Sequence, residues 1–457
     1  MAMKISRRHF VRDISLTVAS GIMVNTFSGC RQLGRYSSRS NKDVPTLIVD
    51  IDFNDEVIIR PQPITETQVE ELVEHLYQNG VDVILLRMGY HGYLPYHTDL
   101  SYPVGFDESH ARQNPFTSDS SALEKWIAQR KEWNERYRQV LETFNPPEIF
   151  IREGHKRGMK VIMWIDIFDD MYSGHRSKFI DEHPYCQWTS RDGQSYFKGL
   201  ISYAWKESRE FRVKQAEELL ALGADGIHCS TSAHCRHLPN RHKNDFFGFE
   251  KPVVEEYQKQ YGIDIRKDDS FDREKWHIIK GEFMNFLYKD LADVCHQKSK
   301  ELWIGLQLGD YTNLSADPYF GTNVVARYKN LWKELVDNNV ADAFIVGDYE
   351  ICSQQDHVYW SAKNLNPAPT ADLFSWAAAY YQPYCNNKTK LYLFGEWLSA
   401  SEPEIEKQLT EWSQRTLANG FDGIDIHEAA NFENPLTKMK LLKRMKRRLQ
   451  GKTVNAL

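Results

Sequence analysis

Eight short apolar segments recur along the chain, and most of them are followed by polar residues. Near-continuous apolar runs of this length, rich in β-branched residues, are typical of parallel strands that are buried on both faces. The predicted strands are Thr46–Phe53, Val81–Arg87, Lys160–Asp166, Asp225–Ser230, Leu302–Leu308, Ala341–Gly347, Lys390–Glu396 and Phe421–His427.

Segments whose apolar residues have helical spacing lie between these strands. Thr65–Asn79 begins with a residue that caps helices and is followed by Gly80, and both Ser208–Leu222 and Pro403–Asn419 also stop just before a glycine. Strand and helix alternate eight times, which predicts an α/β fold of the (β/α)8 TIM-barrel type. A doubly wound open sheet is the competing architecture, but no glycine-rich phosphate-binding fingerprint follows the first strand.

Two of the connections are long. Gly89–Met159 follows the second strand and combines an irregular portion rich in Tyr, His and Pro with a helical pattern over Ser121–Phe144, and Thr231–Ser299 follows the fourth strand. Loops that follow barrel strands build the face where barrel sites lie. We therefore predict one barrel over residues 44–450, with insertions after the second and fourth strands that form the walls of a substrate groove.

The first thirty residues have the pattern of an export signal. Basic residues that include Arg7-Arg8 precede an apolar stretch from Ile14 to Phe27, which is too short to cross a bilayer comfortably. The paired arginines with Phe10 resemble a twin-arginine signal, and Phe27-Ser28-Gly29-Cys30 resembles a lipobox.

This reading predicts an exported lipoprotein, periplasmic or at the cell surface, that is attached to a membrane through a lipid on Cys30. An ordinary cleaved signal with an unrelated Cys30 is the alternative. Residues 31–43 are polar, have no apolar periodicity, and are predicted to be a tether.

The net charge and the aromatic content of the chain bear on which kind of molecule it binds. The net charge of −6 and the isoelectric point near 6.3 leave no basic footprint for nucleic acid, so no nucleic-acid partner is expected. Twelve Trp and 23 Tyr supply aromatic faces that stack on sugars and also fill cores. No cofactor is expected.

The carboxyl ends of barrel strands point to one shared mouth, so the residues there are the candidates for substrate binding. Asp169 and Asp170 lie just beyond the third strand. The predicted substrate-binding residues are Asp50, Asp52, Arg87, Trp164, Asp166, His228, Asp310, Trp397, Asp425, His427 and Glu428.

Glycosidic cleavage needs two carboxyl groups that flank the bond, and this mouth is rich in acids. Glu396 is the first catalytic candidate, because Phe394-Gly395-Glu396-Trp397 places it at the tip of the seventh strand beside an aromatic residue. Asp348 or Glu350, one strand away, is the predicted partner. Adjacent strands lie about 5 Å apart, so both retaining and inverting separations are within reach. The alternative for Glu396 is a structural acid paired with Arg87.

A cluster of His and Cys between His228 and His237 invites a metal interpretation. Cys229 and Cys235 lack the spacing and the second pair that zinc sites have, so no metal is predicted. A loop with substrate-facing histidines or a local disulfide explains the cluster equally well. Besides Cys30, the cysteines are Cys186, Cys229, Cys235, Cys295, Cys352 and Cys385, and their pairing is left open.

Several segments resemble the glycosyl-hydrolase-like family 10 barrels. They are Phe247-Gly248-Phe249, Pro252–Tyr257, Gln260–Asp264, Trp276 and the phrase Ala224-Asp225-Gly226-Ile227-His228. The likeness covers most of Val44 to Leu436, and its sharpest motif covers fewer than twenty residues. The resemblance implies a TIM barrel and carbohydrate as the substrate class.

The wider clan of these glycosidases places catalytic carboxylates after the fourth and seventh strands. Glu396 matches the seventh-strand position, whereas Cys229, Ser230 and Thr231 stand where the fourth-strand acid is expected. The second acid then comes from another strand or from the insertion, where Glu250 and Glu255 are candidates, or the protein no longer hydrolyses its ligand.

Three functions therefore compete. The leading prediction is a glycosidase that cleaves a poly- or oligosaccharide with two carboxylates. The second is a non-catalytic glycan-binding barrel of the cell envelope that keeps the aromatic groove. The third is a metal-dependent hydrolase such as a deacetylase, which requires metal at the His228–His237 cluster.

Overall fold

The computed structural model shows a closed barrel of eight parallel strands inside a compact unit that spans residues 43–457. It describes residues 44–58, 60–103, 105–113, 115, 117–172, 174–231, 247–306, 328–347, 373–386, 388–396, 402–427 and 435–452. The barrel strands are β1 (Thr46–Asp52), β2 (Val83–Arg87), β3 (Lys160–Asp166), β8 (Gly226–Ser230), β9 (Glu301–Leu306), β10 (Ala343–Val346), β11 (Lys390–Glu396) and β12 (Gly423–His427). Each barrel strand pairs with its neighbours along the chain, and β1 pairs with β12 to close the ring. The predicted TIM barrel is confirmed.

Helices surround the barrel. They are α1 (Phe53–Ile58), α2 (Glu66–Gln78), α3 (Glu108–Gln113), α4 (Ser120–Thr143), α5 (Pro146–Lys156), α6 (Lys178–Glu182), α7 (Lys206–Ala221), α8 (Lys251–Tyr261), α9 (Arg273–Gln297), α10 (Trp332–Asp337), α11 (Leu373–Cys385), α12 (Glu402–Asn419) and α13 (Pro435–Leu449). The predicted start of α2 is confirmed, since the Thr65 hydroxyl accepts the Gln68 N–H at 3.3 Å and the Gln68 side chain accepts the Thr65 N–H at 3.0 Å.

The connection after β3 is also long, which the sequence did not indicate. It carries two antiparallel hairpins, β4 (Met171–Tyr172) with β5 (His175–Arg176), and β6 (Gln187–Thr189) with β7 (Tyr196–Ile201). Three of these strands, β4, β5 and β6, have only two or three residues, which is too short to produce a periodic pattern.

The repeated aspartates at the beginning of the strands have a structural role. Each side chain accepts a backbone N–H of the preceding barrel strand. The pairs are Asp82 with Leu47 at 2.7 Å, Asp225 with Val161 at 2.9 Å, Asp342 with Leu302 at 2.7 Å, and Asp422 with Leu391 at 2.8 Å. These carboxylates therefore fix the amino end of the barrel and do not contribute to the mouth.

Alternate residues of each strand face the barrel interior, as period-two geometry requires. The apolar interior cluster is Ile48, Val83, Leu85, Ile162, Trp164, Trp303, Ala343, Ile345, Tyr392 and Phe394. Towards the carboxyl ends of the strands, the inward-facing positions are occupied by polar residues such as Asp50, Asp52 and Arg87. The interior of the barrel is therefore apolar in its middle and charged at its carboxyl end.

Two further findings concern the predictions made above. Cys186, Cys229, Cys295 and Cys385 are buried free thiols, so Cys229 is not part of a local disulfide. Within the described ranges, no helix is long and apolar enough to cross a membrane. The predicted signal, the tether 31–43 and Cys30 lie outside the described residues.

Candidate active site at the carboxyl end of the barrel

Arg87, at the end of β2, is the centre of a buried charge network. Its Nη1 lies 2.6 Å from Asp52 Oδ2, and its Nη2 lies 2.5 Å from Asp166 Oδ2 and 3.5 Å from Asp169 Oδ2. All four side chains are at most 2% exposed. A buried guanidinium that faces three carboxylates leaves an excess of acid at the mouth, and such groups are stable only when every charge is paired or hydrogen-bonded.

Aromatic and amide groups hold this network in place. The Arg87 guanidinium carbon lies 4.9 Å from the Trp164 ring centroid and 4.8 Å from that of Tyr90. The Trp164 indole donates to Asp166 Oδ1 at 2.9 Å, and the Asn54 side chain donates to Asp52 at 2.7 Å. Each carboxylate thus has a second partner besides Arg87, which fixes its orientation.

Burial changes the protonation of Asp166. Loss of solvation raises its pKa to about 8, against the opposing effect of Arg87, and the neighbouring Asp169 raises it further. Burial therefore favours the protonated form of Asp166.

Asp169 and Asp170 extend the network beyond β3. Asp169 Oδ2 lies 3.1 Å from His91 Nδ1, in the irregular loop after β2. Asp170 forms an ion pair with Arg212 of α7, and burial raises the pKa of Asp170 to about 7. Arg212 also donates to the Tyr203 hydroxyl at 3.1 Å. Sequence reasoning noted the two aspartates but missed His91 and Arg212, which are distant in sequence and carry no motif.

A second pair of polar residues joins the first and last strands. His427 Nδ1, at the end of β12, lies 2.7 Å from Asp50 Oδ2 on β1, and the Phe394 ring lies 5.3 Å from the His427 ring. The carboxylate fixes the orientation of the imidazole. Because Glu396 is the register partner of His427, the end of β11 lies next to this pair.

Two further predicted site residues are buried in the barrel. His228 is the register partner of Trp164, and Asp425 is the register partner of both Ile48 and Phe394. Burial lowers the pKa of His228 to about 3, so this imidazole is neutral. Neutral His228 in the interior contributes shape and polarity more than charge.

The structure therefore brings together Asp50, Asp52, Arg87, Trp164, Asp166 and His427 at one end of the barrel. The backbone of Glu396 ends β11 at the same rim. The remaining candidates, Asp310, Asp348, Glu350, Trp397 and Glu428, lie outside the described residues.

The two acids of the insertion differ sharply. Glu250 is buried, accepts the Thr189 N–H of β6 at 2.7 Å, and has a pKa that burial raises to about 7. Glu255 is exposed on α8 and lies 3.7 Å from Lys251. Glu250 therefore stabilises the β6–β7 hairpin through its hydrogen bond to β6. Glu255 lies on a solvent-exposed face of α8.

Only residues 228–231 of the His228–His237 cluster belong to the described part of the chain. Among the described residues, no group of three or more His, Cys, Asp or Glu side chains has the arrangement to hold a metal ion. Residues 232–246, which include Cys235 and His237, lie outside that part.

No protein-family model matches this sequence. No curated protein matches it either. The resemblance to family 10 accordingly stays a prediction.

Three enzymes are among the solved structures that are similar to this chain. The catalytic domain of β-amylase from Paenibacillus polymyxa is 11% identical with a TM-score of 0.51, over 91% of this chain and 100% of that one. α-L-Fucosidase isoenzyme 2 from Paenibacillus thiaminolyticus is 11% identical with a TM-score of 0.47, over 89% of this chain, which spans about half (49%) of that one. Endo-β-1,4-mannanase from Thermotoga petrophila is 10% identical with a TM-score of 0.46, over 91% and 79% of the two chains. At this identity the likeness to the β-amylase domain shows the fold alone.

Proposed function

We propose that this protein is a glycoside hydrolase that cleaves a poly- or oligosaccharide at the carboxyl end of its barrel. The observation that carries the proposal is the buried acid network around Arg87, in which carboxylates outnumber the cation. This network makes the carboxyl end of the barrel rich in acidic side chains. Glycosidic cleavage requires carboxyl groups, because one donates a proton while another acts as nucleophile or base.

Within this proposal Glu396 is the first catalytic carboxyl group, and Asp348 or Glu350 on the neighbouring strand is its partner. The end of β11 adjoins β12 at His427, which Asp50 orients, so a proton-exchanging group stands beside the Glu396 position. The paired carboxylates Asp52 and Asp166 are held by Arg87 and suit hydrogen bonding to sugar hydroxyls. Trp164 and Trp397 are the proposed aromatic walls.

A glycan panel tests the proposal. The chain from Arg31 onward contains the whole compact unit, and the assay measures reducing ends released from plant, algal and host polysaccharides. We expect release by the native protein and a loss of roughly 100-fold or more in the Glu396→Gln variant, the size of an acid–base contribution. Glu411→Gln, the same change at an exposed position of α12, is the matched control and keeps full activity.

The partner acid is identified with the same substrate. Of Asp348→Asn and Glu350→Gln, one loses activity as severely as Glu396→Gln and the other keeps most of it. Absence of release from every glycan, together with retardation of the native protein in a glycan-containing gel, would instead assign a binding function. We also propose, from the sequence alone, that the protein is exported and that a lipid on Cys30 attaches it to a bacterial membrane, either in the periplasm or at the cell surface.

A further inference from the structure

Asp170 is a point at which several loops of the carboxyl end meet. Its N–H donates to the Gly199 carbonyl oxygen of β7 at 3.0 Å, and its own carbonyl oxygen accepts the Ser177 N–H at 2.9 Å. Gly92, in the loop after β2, lies so close that a Cβ there would be 2.2 Å from the same carbonyl oxygen. The backbone at Asp170, and with it the adjoining Asp169, is therefore held by three other segments.

The side chain of Asp170 is anchored by Arg212 of α7. The two side chains form an ion pair and are at most 3% exposed. Arg212 also donates from Nε to the Tyr203 hydroxyl and from Nη1 to Gln215 Oε1, both at 3.1 Å. The Tyr203 hydroxyl donates in turn to the Ile167 carbonyl oxygen, just beyond β3. Arg212 is therefore fixed against the segment that follows β3.

Asp169 and Asp170 are neighbours in the chain but bind different arginines. Asp169 Oδ2 lies 3.5 Å from Arg87 Nη2, whereas Asp170 binds Arg212. Burial lowers the pKa of Arg212, but nearby negative groups, which include Asp170 and Asp166, outweigh burial and hold this pKa above its ordinary value. The charge of Arg212 therefore reaches Asp166, a carboxyl group that Arg87 also binds.

The combined cluster has more acids than cations. It holds four carboxyl groups and two guanidinium groups, which belong to Asp52, Asp166, Asp169, Asp170, Arg87 and Arg212. Net charge is costly in a buried site, so the cluster is most stable when its four carboxyl groups share two protons. Besides these groups, the Ser177 side chain hydrogen-bonds to Asp170, and His91 Nδ1 lies 3.1 Å from Asp169 Oδ2.

We propose that Arg212 is a positioning residue for the candidate active site. Its ion pair with Asp170 holds the adjoining Asp169 in place, and its charge sets how many protons the acids around Arg87 share. Only the effect on turnover rests on the proposed glycosidase function. The effect on proton binding is a property of the folded chain itself.

Removing either partner is expected to change the number of bound protons by one. Arg212→Met leaves four carboxyl groups with one guanidinium group, so the folded chain is expected to bind about one proton more than the native protein near pH 8. Asp170→Asn leaves three carboxyl groups with two guanidinium groups and is expected to bind about one proton fewer. The double variant is expected to match the native protein. Comparison of the double variant with Asp170→Asn gives the effect of Arg212 even where Arg212→Met alone does not fold.

Urea unfolding at several pH values between 7 and 9 measures these differences. The slope of the free energy of unfolding against pH gives the number of protons by which the folded and unfolded chains differ. A folded state that binds more protons loses stability more steeply as the pH rises, so Arg212→Met is expected to have the steepest fall and Asp170→Asn the shallowest. Arg212→Lys keeps the positive charge and is expected to keep the native slope at lower stability. A purely structural role would lower the stability equally at every pH.

Arg209→Met is the matched control on the same helix. Arg209 lies 3.0 Å from Asp290, whose side chain is 44% exposed, so this variant is expected to keep the native slope. Native slopes in both Arg212→Met and Asp170→Asn, or a slope in Arg212→Lys as steep as that of Arg212→Met, would overturn the proposal whether or not a glycan is cleaved.

The pH dependence of turnover tests the consequence for the candidate active site, with a glycan that the panel identifies. The pH optimum of Arg212→Met is expected to move upwards by about one unit or more, because acids without this cation hold their protons to higher pH, and Arg212→Lys is expected to restore it. An unshifted optimum in Arg212→Met would overturn the positioning role. Absence of cleavage by the native protein would count against the glycosidase proposal alone, since the unfolding slopes do not depend on it.

Discussion

Replacing Arg87 with Met leaves three buried carboxyl groups without their shared cation while keeping an unbranched side chain of similar length. At an effective dielectric constant of about 20, a unit-charge contact at 2.5–3.5 Å is worth roughly 5–7 kcal/mol, and the desolvation of the ions offsets most of the total. The loss from breaking such a buried cluster is about 3–5 kcal/mol in the free energy of unfolding.

Urea unfolding followed by tryptophan fluorescence measures this loss directly. Thermal melting is less sensitive, because a barrel of roughly 400 residues changes its Tm by only about 1 °C per kcal/mol. The deficit of Arg87→Met is expected to be larger at pH 8 than at pH 5, since the orphaned carboxylates take up protons at the lower pH and lose their unpaired charge. Adding Asp166→Asn to Arg87→Met is expected to recover part of the stability, as coupled residues do.

Arg112→Met provides the matched control. Arg112 also contacts two carboxylates, Glu108 at 2.6 Å and Glu124 at 2.5 Å, but its side chain is 44% exposed. Exposed pairs contribute about 0–1 kcal/mol. A cost for Arg87→Met no greater than that for Arg112→Met, or a cost that is identical at pH 5 and pH 8, would refute the account of the Arg87 network.

Two further predictions concern the loop after β2 and the response to pH. Gly92 has a φ of +91°, and a Cβ there would lie 2.2 Å from the Asp170 carbonyl oxygen, so Gly92→Ala is expected to lower the free energy of unfolding by about 2–4 kcal/mol. Gly158 has a φ of +71° but lies in open space, so Gly158→Ala is expected to cost only about 1 kcal/mol. Similar costs for the two variants in urea unfolding would contradict this prediction. Burial raises the folded-state pKa of Asp166 to about 8 and that of Asp170 to about 7. The protonated forms of these acids therefore contribute fully to the free energy of unfolding below the unfolded-state pKa near 3.8, and this contribution is lost as the pH rises through 7 and 8. Neutral His228 acts in the opposite sense, and its contribution is lost only as pH falls from 6.5 towards 3. The free energy of unfolding should therefore fall between pH 6.5 and pH 8, less steeply in Asp166→Asn, and a rise over this range in the native protein would show that the buried acids are ionised in the folded state.

Much of the architecture could be predicted because each barrel strand is buried on both faces and leaves an apolar run of seven residues or so. The alternation of these runs with capped helices such as α2 predicted the closed barrel, and the predicted helix bounds agree with the structure to within about two residues. The structural role of the aspartates that precede several strands could not be predicted, because the hydrogen bond that the Leu47 N–H donates to the Asp82 carboxylate joins residues 35 positions apart.

The candidate site could be predicted only as a list of residues at strand ends. Which of them interact depends on register and on loops, and neither leaves a local signal. No sequence pattern predicted that the Arg87 guanidinium lies against Asp52, Asp166 and Asp169 together. Asp169 reaches His91, 78 residues away, across a turn that follows β3.

The pairing of β1 with β12 has a consequence for how the chain is made. Asp50 and His427 are 377 residues apart, and the ion pair between Asp82 and Lys446 spans the same seam at the other end of the barrel. Until residues 423–427 have left the ribosome, β1 and β11 of the nascent chain each have one unpaired edge. Unpaired strand edges can pair with other chains and lead to aggregation. Termination of translation before Gly423 is therefore expected to give an aggregating product that lacks the Asp50–His427 pair, and no shortened protein with partial activity.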